Sequence, residues 1–214
     1  MKKILIIAVT LLIALPAFSQ SLYNYQKRSL FEKLPVTKKD IVFLGNSITD
    51  GGEWAELFGK ANIKNRGISA DRAEWLDQRL DPIVGGQPKK IFLLIGTNDL
   101  HAGQPVERVV ESIDWVLTLI QEGSPKTQIY VQSVFPVDVT NARYANAQDR
   151  NERIVKLNNR LVEICAAHGI VYIDVHSALK DETGNLRKDV SNDGLHLTGE
   201  GYIIWRDILK PYMK

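Results

Sequence analysis

Cysteine is nearly absent: Cys165 is the only one in 214 residues. A single cysteine cannot form an internal disulfide, so stability must come from a packed core. Cys165 sits among Ile164, Ala166 and Ala167 on a predicted helix and reads as buried filler rather than a thiol nucleophile. Histidine is also sparse. His101, His168, His176 and His196 are scattered, with no tight His/Cys ligand spacing, so no metal is expected; the serine chemistry read below calls for no cofactor either. Net charge is small, 27 Lys and Arg against 25 Asp and Glu. That balance argues against a nucleic-acid partner and suits an uncharged or weakly charged substrate. No internal repeat or low-complexity tract stands out. Beyond the N-terminus no run is long and apolar enough to span a bilayer, so no membrane span is expected in the mature chain.

What is present begins with a signal-like N-terminus. Lys2 and Lys3 precede an apolar stretch, Ile4 to Leu15, and Ala17 and Ser19 carry the small side chains that a signal peptidase favours. Residues 1–19 are expected to be removed before Gln20, giving a secreted or periplasmic protein. Loss of the two lysines leaves 25 basic against 25 acidic residues. A polar lead-in segment, 20–39, and one domain, 40–214, complete the expected organisation.

Within that domain strand-like and helix-like stretches alternate. Residues 40–44, 62–66, 91–95, 128–135 and 170–173 read as strands. Two of them are nearly all apolar, as in a parallel sheet covered on both faces. Val106, Val109, Val110, Ile113, Val116, Leu117 and Ile120 form one helical stripe, with Pro105 suited to its first turn. Ile154, Leu157, Leu161, Ile164 and Cys165 form another, closed by Gly169. Shorter helices are expected around 53–58 and from Trp75 to a stop near Asp81-Pro82. A last helix is expected from about Thr198. The alternation predicts an α/β sandwich with a largely parallel sheet, whose ligands bind at the carboxyl ends of the strands.

Four motifs fall on that edge or near it: Gly45-Asn46-Ser47, Asn65-Arg66-Gly67, Gly96-Thr97-Asn98-Asp99 and Asp193-Gly194-Leu195-His196. Ser47 follows a strand through a glycine turn, where a hydroxyl is exposed beside free N–H groups. Asp193 precedes His196 by three residues in a glycine-containing loop. Its carboxylate could orient the imidazole, leaving Nε2 to take the serine proton. The Asn98 amide and the N–H groups of Gly67 and Ser47 could donate to an oxyanion. Each motif separately also fits a turn or a helix cap.

In this order the motifs resemble the SGNH hydrolases, or GDSL esterase/lipase family, from Ile41 to His196. The segment from Phe43 to Asp50, with Glu53-Trp54, is similar to the branch containing platelet-activating-factor acetylhydrolase subunits and secreted bacterial carbohydrate esterases. The resemblance implies a flavodoxin-like three-layer sandwich with five parallel strands in order 2-1-3-4-5. It also implies a Ser47 nucleophile, a His196 base oriented by Asp193, and oxyanion donors at Ser47, Gly67 and Asn98. The family's usual Gly-Asp-Ser reads Gly45-Asn46-Ser47 here, a departure that puts local hydrogen bonding in question. The expected partner is a small-molecule or carbohydrate ester, acetylated sugar first, with a lipid ester or thioester as the competing class and a noncatalytic binding module as another. Asp50, Trp54, Arg72, His101 and Tyr144 are candidate substrate contacts. Val137 to Gln148 is a lid, a subsite or a plain surface loop. Asp174 and His176 offer a rival acid and base, and His168 reads as a solvent-facing helix end. The α/β-hydrolase elbow is excluded, because Thr49 stands where that motif needs glycine.

Overall fold

A computed structural model describes residues 22–144 and 149–214. The expected signal segment, 1–19, and residues 145–148 lie outside the described residues. Five strands, β1 (Ile41–Gly45), β2 (Ile63–Gly67), β3 (Lys90–Leu94), β4 (Gln128–Gln132) and β5 (Val171–Ile173), form one sheet in the order β2-β1-β3-β4-β5. Every pairing is parallel. The register sets Gly45 opposite both Gly67 and Leu94, so the chains leave β1, β2 and β3 at one edge.

Strand periodicity divides the core in two. Val42, Leu44, Ile91 and Leu93 face α6 (Val106–Gly123) and α7 (Arg150–His168). Ile41, Phe43, Phe92 and Leu94 face the opposite layer with Trp54, Leu179, Trp205 and Leu209, from α3 (Trp54–Phe58), α8 (His176–Leu179) and α9 (Gly199–Leu209). Phe43 stacks on Trp54 at 4.1 Å and on Phe92 at 5.0 Å, and Trp205 meets Trp54 edge-on at 4.5 Å. Such pairs contribute about 0.5–1.5 kcal/mol each beyond their buried area. Cys165 is buried on α7, and burial pushes its thiol up to about 12.

Two expectations change, and the polar lead-in segment acquires a form: residues 22–33 are a helix, α1. It docks through polar contacts, with Tyr23 Oη donating to Asp50 Oδ2 at 2.5 Å and Lys27 Nζ 2.8 Å from Asp50 Oδ1. The helix expected from Trp75 is a 3-10 helix, Ala73–Arg79, and helical structure resumes through Asp81-Pro82 as α4 (Asp81–Val84) instead of stopping there. Proline is compatible with a first turn, where its missing N–H has no partner to lose. Strand β4 ends at Gln132 rather than Phe135. Past it, side chains take over the backbone: Asn158 bonds both the N–H and C=O of Val134, and Ser133 Oγ accepts from the N–H groups of Val175 and His176.

Candidate active site

Ser47 opens the short helix α2 (Ser47–Asp50), directly after β1. Gly45 is required there because a Cβ would overlap the Leu94 carbonyl and the Thr49 side chain. Three elements then fix the turn. Asn65 Nδ2 donates to the carbonyls of Thr49, Asp50 and Gly52 at 3.0–3.1 Å. Trp54 Nε1 donates to Thr49 O at 2.8 Å, and Tyr202 Oη donates to Ile48 O at 2.8 Å. With its carbonyls occupied on every side, the turn holds the Ser47 hydroxyl at the strand edge.

The loop before α9 brings His196 to it. Asp193 Oδ1 accepts from the N–H groups of Leu195 and His196 at 2.9 and 2.8 Å, folding the loop around the carboxylate. Gly194 sits at φ +83°, with the Asp138 and Asn141 side chains where a Cβ would point. Asp193 Oδ2 lies 2.7 Å from His196 Nδ1, and His196 Nε2 lies 2.9 Å from Ser47 Oγ. With the ring proton on Nδ1 donated to Asp193, Nε2 is left to accept from the hydroxyl. Partial burial raises the Asp193 pKa. The hydrogen bonds from His196 and the backbone outweigh it and hold the carboxyl at about 2. It is therefore an anion, suited to holding the imidazole in one tautomer.

The donor side differs from expectation at one residue. Asn98, in α5 (Thr97–His101), lines the cleft, and its Nδ2 donates to Asp71 O at 2.9 Å. The other Nδ2 hydrogen remains for a ligand. Gly67, in contrast, spends its N–H on Asn65 Oδ1 at 2.8 Å. Its missing side chain accommodates the Asp50 backbone, not a substrate, since a Cβ would overlap the Asp50 nitrogen. Three residues later the chain folds back over the cleft, and Ala70 lines it at φ +64°, with no acceptor for its N–H among the described residues. Sequence reading missed Ala70, because the left-handed region is a conformation that glycine rather than alanine advertises.

A buried pair sets this loop. Arg79 Nε donates to Asp71 Oδ2 at 2.7 Å, Nη1 to Arg66 O at 2.9 Å and Nη2 to Gly45 O at 3.0 Å. One guanidinium thus ties the ends of β1 and β2 to the loop that Asn98 grips. Burial pushes the Asp71 carboxyl up, and the Arg79 charge beside it opposes that. Asp99, next to Asn98, accepts from the Ala73 N–H with both oxygens.

Ser47, His196 and Asn98 share a cleft of 920 Å³ with Ala70, Arg72 and Leu195. Arg72, His101 and Tyr144, three of the candidate contacts, line it. Trp54 and Asp50 do not. Trp54 is 1% exposed and belongs to the aromatic core, while the Asp50 carboxylate is taken by Tyr23 and Lys27. Arg143 and Tyr144 bring the described part of the Val137 to Gln148 segment to the cleft. His176 is buried, with Nδ1 3.0 Å from Val134 O, away from the cleft lining, so the Asp174–His176 pair does not face Ser47. His168 is not simply solvent-facing: its ring bridges Gln121 and Asp114, each at 2.7 Å. Among the described residues no three His, Cys, Asp or Glu side chains converge to hold a metal, and no helix is long and apolar enough to cross a membrane.

The pattern of the GDSL-like Lipase/Acylhydrolase family matches residues 43–204, a stretch that carries the serine turn and the His196 loop. The chain belongs to this family of ester hydrolases. A structure from Streptococcus pneumonia named for platelet activating factor is 32% identical, with a TM-score of 0.84, covering 97% of this chain and 99% of that one. An acetylxylan esterase from Geobacillus stearothermophilus shares the fold at 16% identity and a TM-score of 0.66, over 84% of this chain and 96% of that one. An N-acylneuraminate cytidylyltransferase from Escherichia coli is 25% identical over a stretch covering 91% of this chain. This chain accounts for 45% of that protein, so it spans less than half the length of this curated relative.

Seen as a GDSL-like acylhydrolase, the protein departs from the usual Gly-Asp-Ser at Asn46. Asn46 is 1% exposed and caps α2, its Oδ1 accepting from the Ile48 N–H at 3.0 Å. An amide oxygen caps a helix as well as a carboxylate oxygen does. The substitution therefore keeps the serine turn intact.

Proposed function

We propose that the protein is an exported serine esterase removing short acyl groups, acetyl first, from carbohydrate esters. The observation that carries this reading is the continuous series Asp193–His196–Ser47, at 2.7 and 2.9 Å, opening into the cleft. Ser47 Oγ attacks the ester carbonyl while His196 Nε2 takes its proton. The oxyanion that forms is received by the N–H groups of Ser47 and Ala70 and by Asn98 Nδ2. His196 then gives the proton to the departing alcohol oxygen as the C–O bond breaks. Water repeats the sequence on the acyl-serine, returning the free acid and the Ser47 hydroxyl. Every proton is carried by His196, and the cycle needs no cofactor.

Export rests on the signal-like start at Lys2 to Ser19. A carbohydrate ester as substrate is supported by the acetylxylan esterase among the fold's neighbours and by the polar cleft wall, where Ser69, Asn98 and Arg72 can bond sugar hydroxyls. The test is reaction with a fluorophosphonate together with a hydrolysis series of aryl esters of increasing chain length. The wild-type protein should be labelled at Ser47 and should lose activity steeply beyond acetate or propionate. Ser47→Ala should escape labelling and hydrolyse nothing. Undiminished acetyl-ester hydrolysis by Ser47→Ala would rule the mechanism out. Activity rising with acyl length would move the substrate to lipid esters.

A further inference from the structure

Four arginines line the cleft beside Ser47, and no Asp or Glu does among the described residues. Arg28 comes from α1, Arg72 from the loop after β2, Arg143 from the short Ala142–Tyr144 turn and Arg150 from the start of α7. In a chain whose charges nearly cancel, gathering four like charges around one cleft costs electrostatic energy unless something opposes them.

The protein opposes them incompletely. Arg72 Nη1 lies 3.5 Å from Glu74 Oε1, and Arg143 Nη1 lies 3.2 Å from Asp193 Oδ2. Arg28 meets only a neutral partner, donating to Gln78 Oε1 at 3.1 Å and to Gln78 O at 2.8 Å. Arg150 has no carboxylate at ion-pair distance among the described residues, and residues 145–148, Ala-Asn-Ala-Gln, contain none. Its guanidinium lies 5.3 Å over the Tyr144 ring, the residue is 8% exposed, and neighbouring Asp149 offsets its charge only through space. A partly desolvated guanidinium without a paired anion is costly, and an anionic ligand removes that cost. His101 reports the same field. Partial burial lowers its pKa, and the charges of Arg150, Arg143 and Arg72 lower it further.

Building on the esterase reading above, we propose that the cleft takes esters whose alcohol portion carries an anionic group, carboxylate or phosphate, held by Arg150 and Arg28. The planar fork of arginine matches both anions bidentately. The acyl group sits against Asn98 and Ala70, and the larger alcohol portion extends along the arginine wall. A near-zero net charge is compatible with this selectivity, because recognition depends on the charge around the cleft and not on the sum over the surface.

Three acetyl esters with the same aryl frame test it: 3-acetoxybenzoate, 3-acetoxyphenyl phosphate and neutral 3-acetoxybenzamide. The wild-type protein should favour at least one anion over the amide by about tenfold or more in kcat/KM, as charge-assisted hydrogen bonds do. The anion with the larger ratio identifies the source. The ratio should shrink with added salt and fall toward one in Arg150→Gln and in Arg28→Gln. The second variant sits on a peripheral helix and remains readable if the first fails to fold. Calorimetric titration of 3-hydroxybenzoate, 3-hydroxyphenyl phosphate and 3-hydroxybenzamide measures the same preference without chemistry. Tighter binding of an anion with no hydrolysis of any ester would overturn the esterase reading and uphold the anion site. Equal rates and equal binding across all three would overturn the anion site and leave the esterase reading standing.

Discussion

Asn98 Nδ2 donates to the main-chain carbonyl of Asp71 at 2.9 Å, so one residue both faces the cleft and holds the loop that carries Ala70. Asn98→Ala therefore removes a donor and loosens a second one. Loss of a single oxyanion donor slows turnover by about 100- to 1000-fold. The variant should fall at the far end of that range in kcat, with a modest change in KM, and should melt earlier than wild type. Steady-state kinetics with a thermal melt check both parts.

Gly67 and Ala70 make opposite predictions. Gly67→Ala inserts a Cβ into the Asp50 backbone and should cost about 1–3 kcal/mol as overpacking, shifting the serine turn and cutting activity with it. Ala70→Gly relieves an alanine held at φ +64° and keeps the N–H. Left-handed alanine costs about 1–2 kcal/mol, offset in part by the greater freedom of glycine in the unfolded chain. Urea unfolding should place Ala70→Gly within about 1 kcal/mol of wild type, with kcat retained.

Arg79 gathers three elements through one side chain that is almost fully buried. Arg79→Met leaves the buried Asp71 carboxylate without its counter-charge and should destabilise the fold by about 3–5 kcal/mol. Arg79→Lys keeps the charge and loses the fork. It should recover part of the stability and little of kcat, because a single ammonium cannot hold Asp71, Arg66 O and Gly45 O together. Chemical denaturation and acetyl-ester kinetics on the two variants separate charge from geometry.

Asp99 sets a pH dependence of stability. Burial raises its carboxyl to about 6, even though the Ala73 N–H and its own backbone N–H favour the anion. A carboxyl raised in the folded state stabilises the fold fully below its unfolded pKa, and that contribution is lost as pH rises through 6. In Asp99→Asn the titration is gone while Oδ1 can still accept from Ala73. The stability of wild type relative to Asp99→Asn should therefore fall between pH 4 and 7, by up to about 3 kcal/mol. Urea midpoints of both proteins across that range measure it, and parallel curves would refute it.

Strands β1 and β3 were legible as apolar runs of the right length, and the helices α6 and α7 because their buried residues recur at the helical step. Helix α1 was not legible, since it buries no apolar stripe and is held by Tyr23, Lys27 and Arg28 against distant polar partners. Trp54 was misplaced for a related reason. A tryptophan beside a serine turn suits a pocket wall and a core equally, and only the stacking of Phe43 and Trp205 around it decides.

Local sequence alone carries the kind of fold and the chemical cast: strands ending in turns, a serine and an asparagine at those turns, and an aspartate–histidine pair in the loop before the last helix. Local pattern suffices for that, because periodicity and turn chemistry act over a few residues. Tertiary structure alone decided which groups meet. It brought His196 to Ser47 across 149 positions, occupied the Gly67 N–H, turned Ala70 to the cleft, and assembled four arginines from four separate elements around one opening. Those outcomes depend on how the sheet edge and its loops pack together, and distances of that kind are not written in any short stretch of chain.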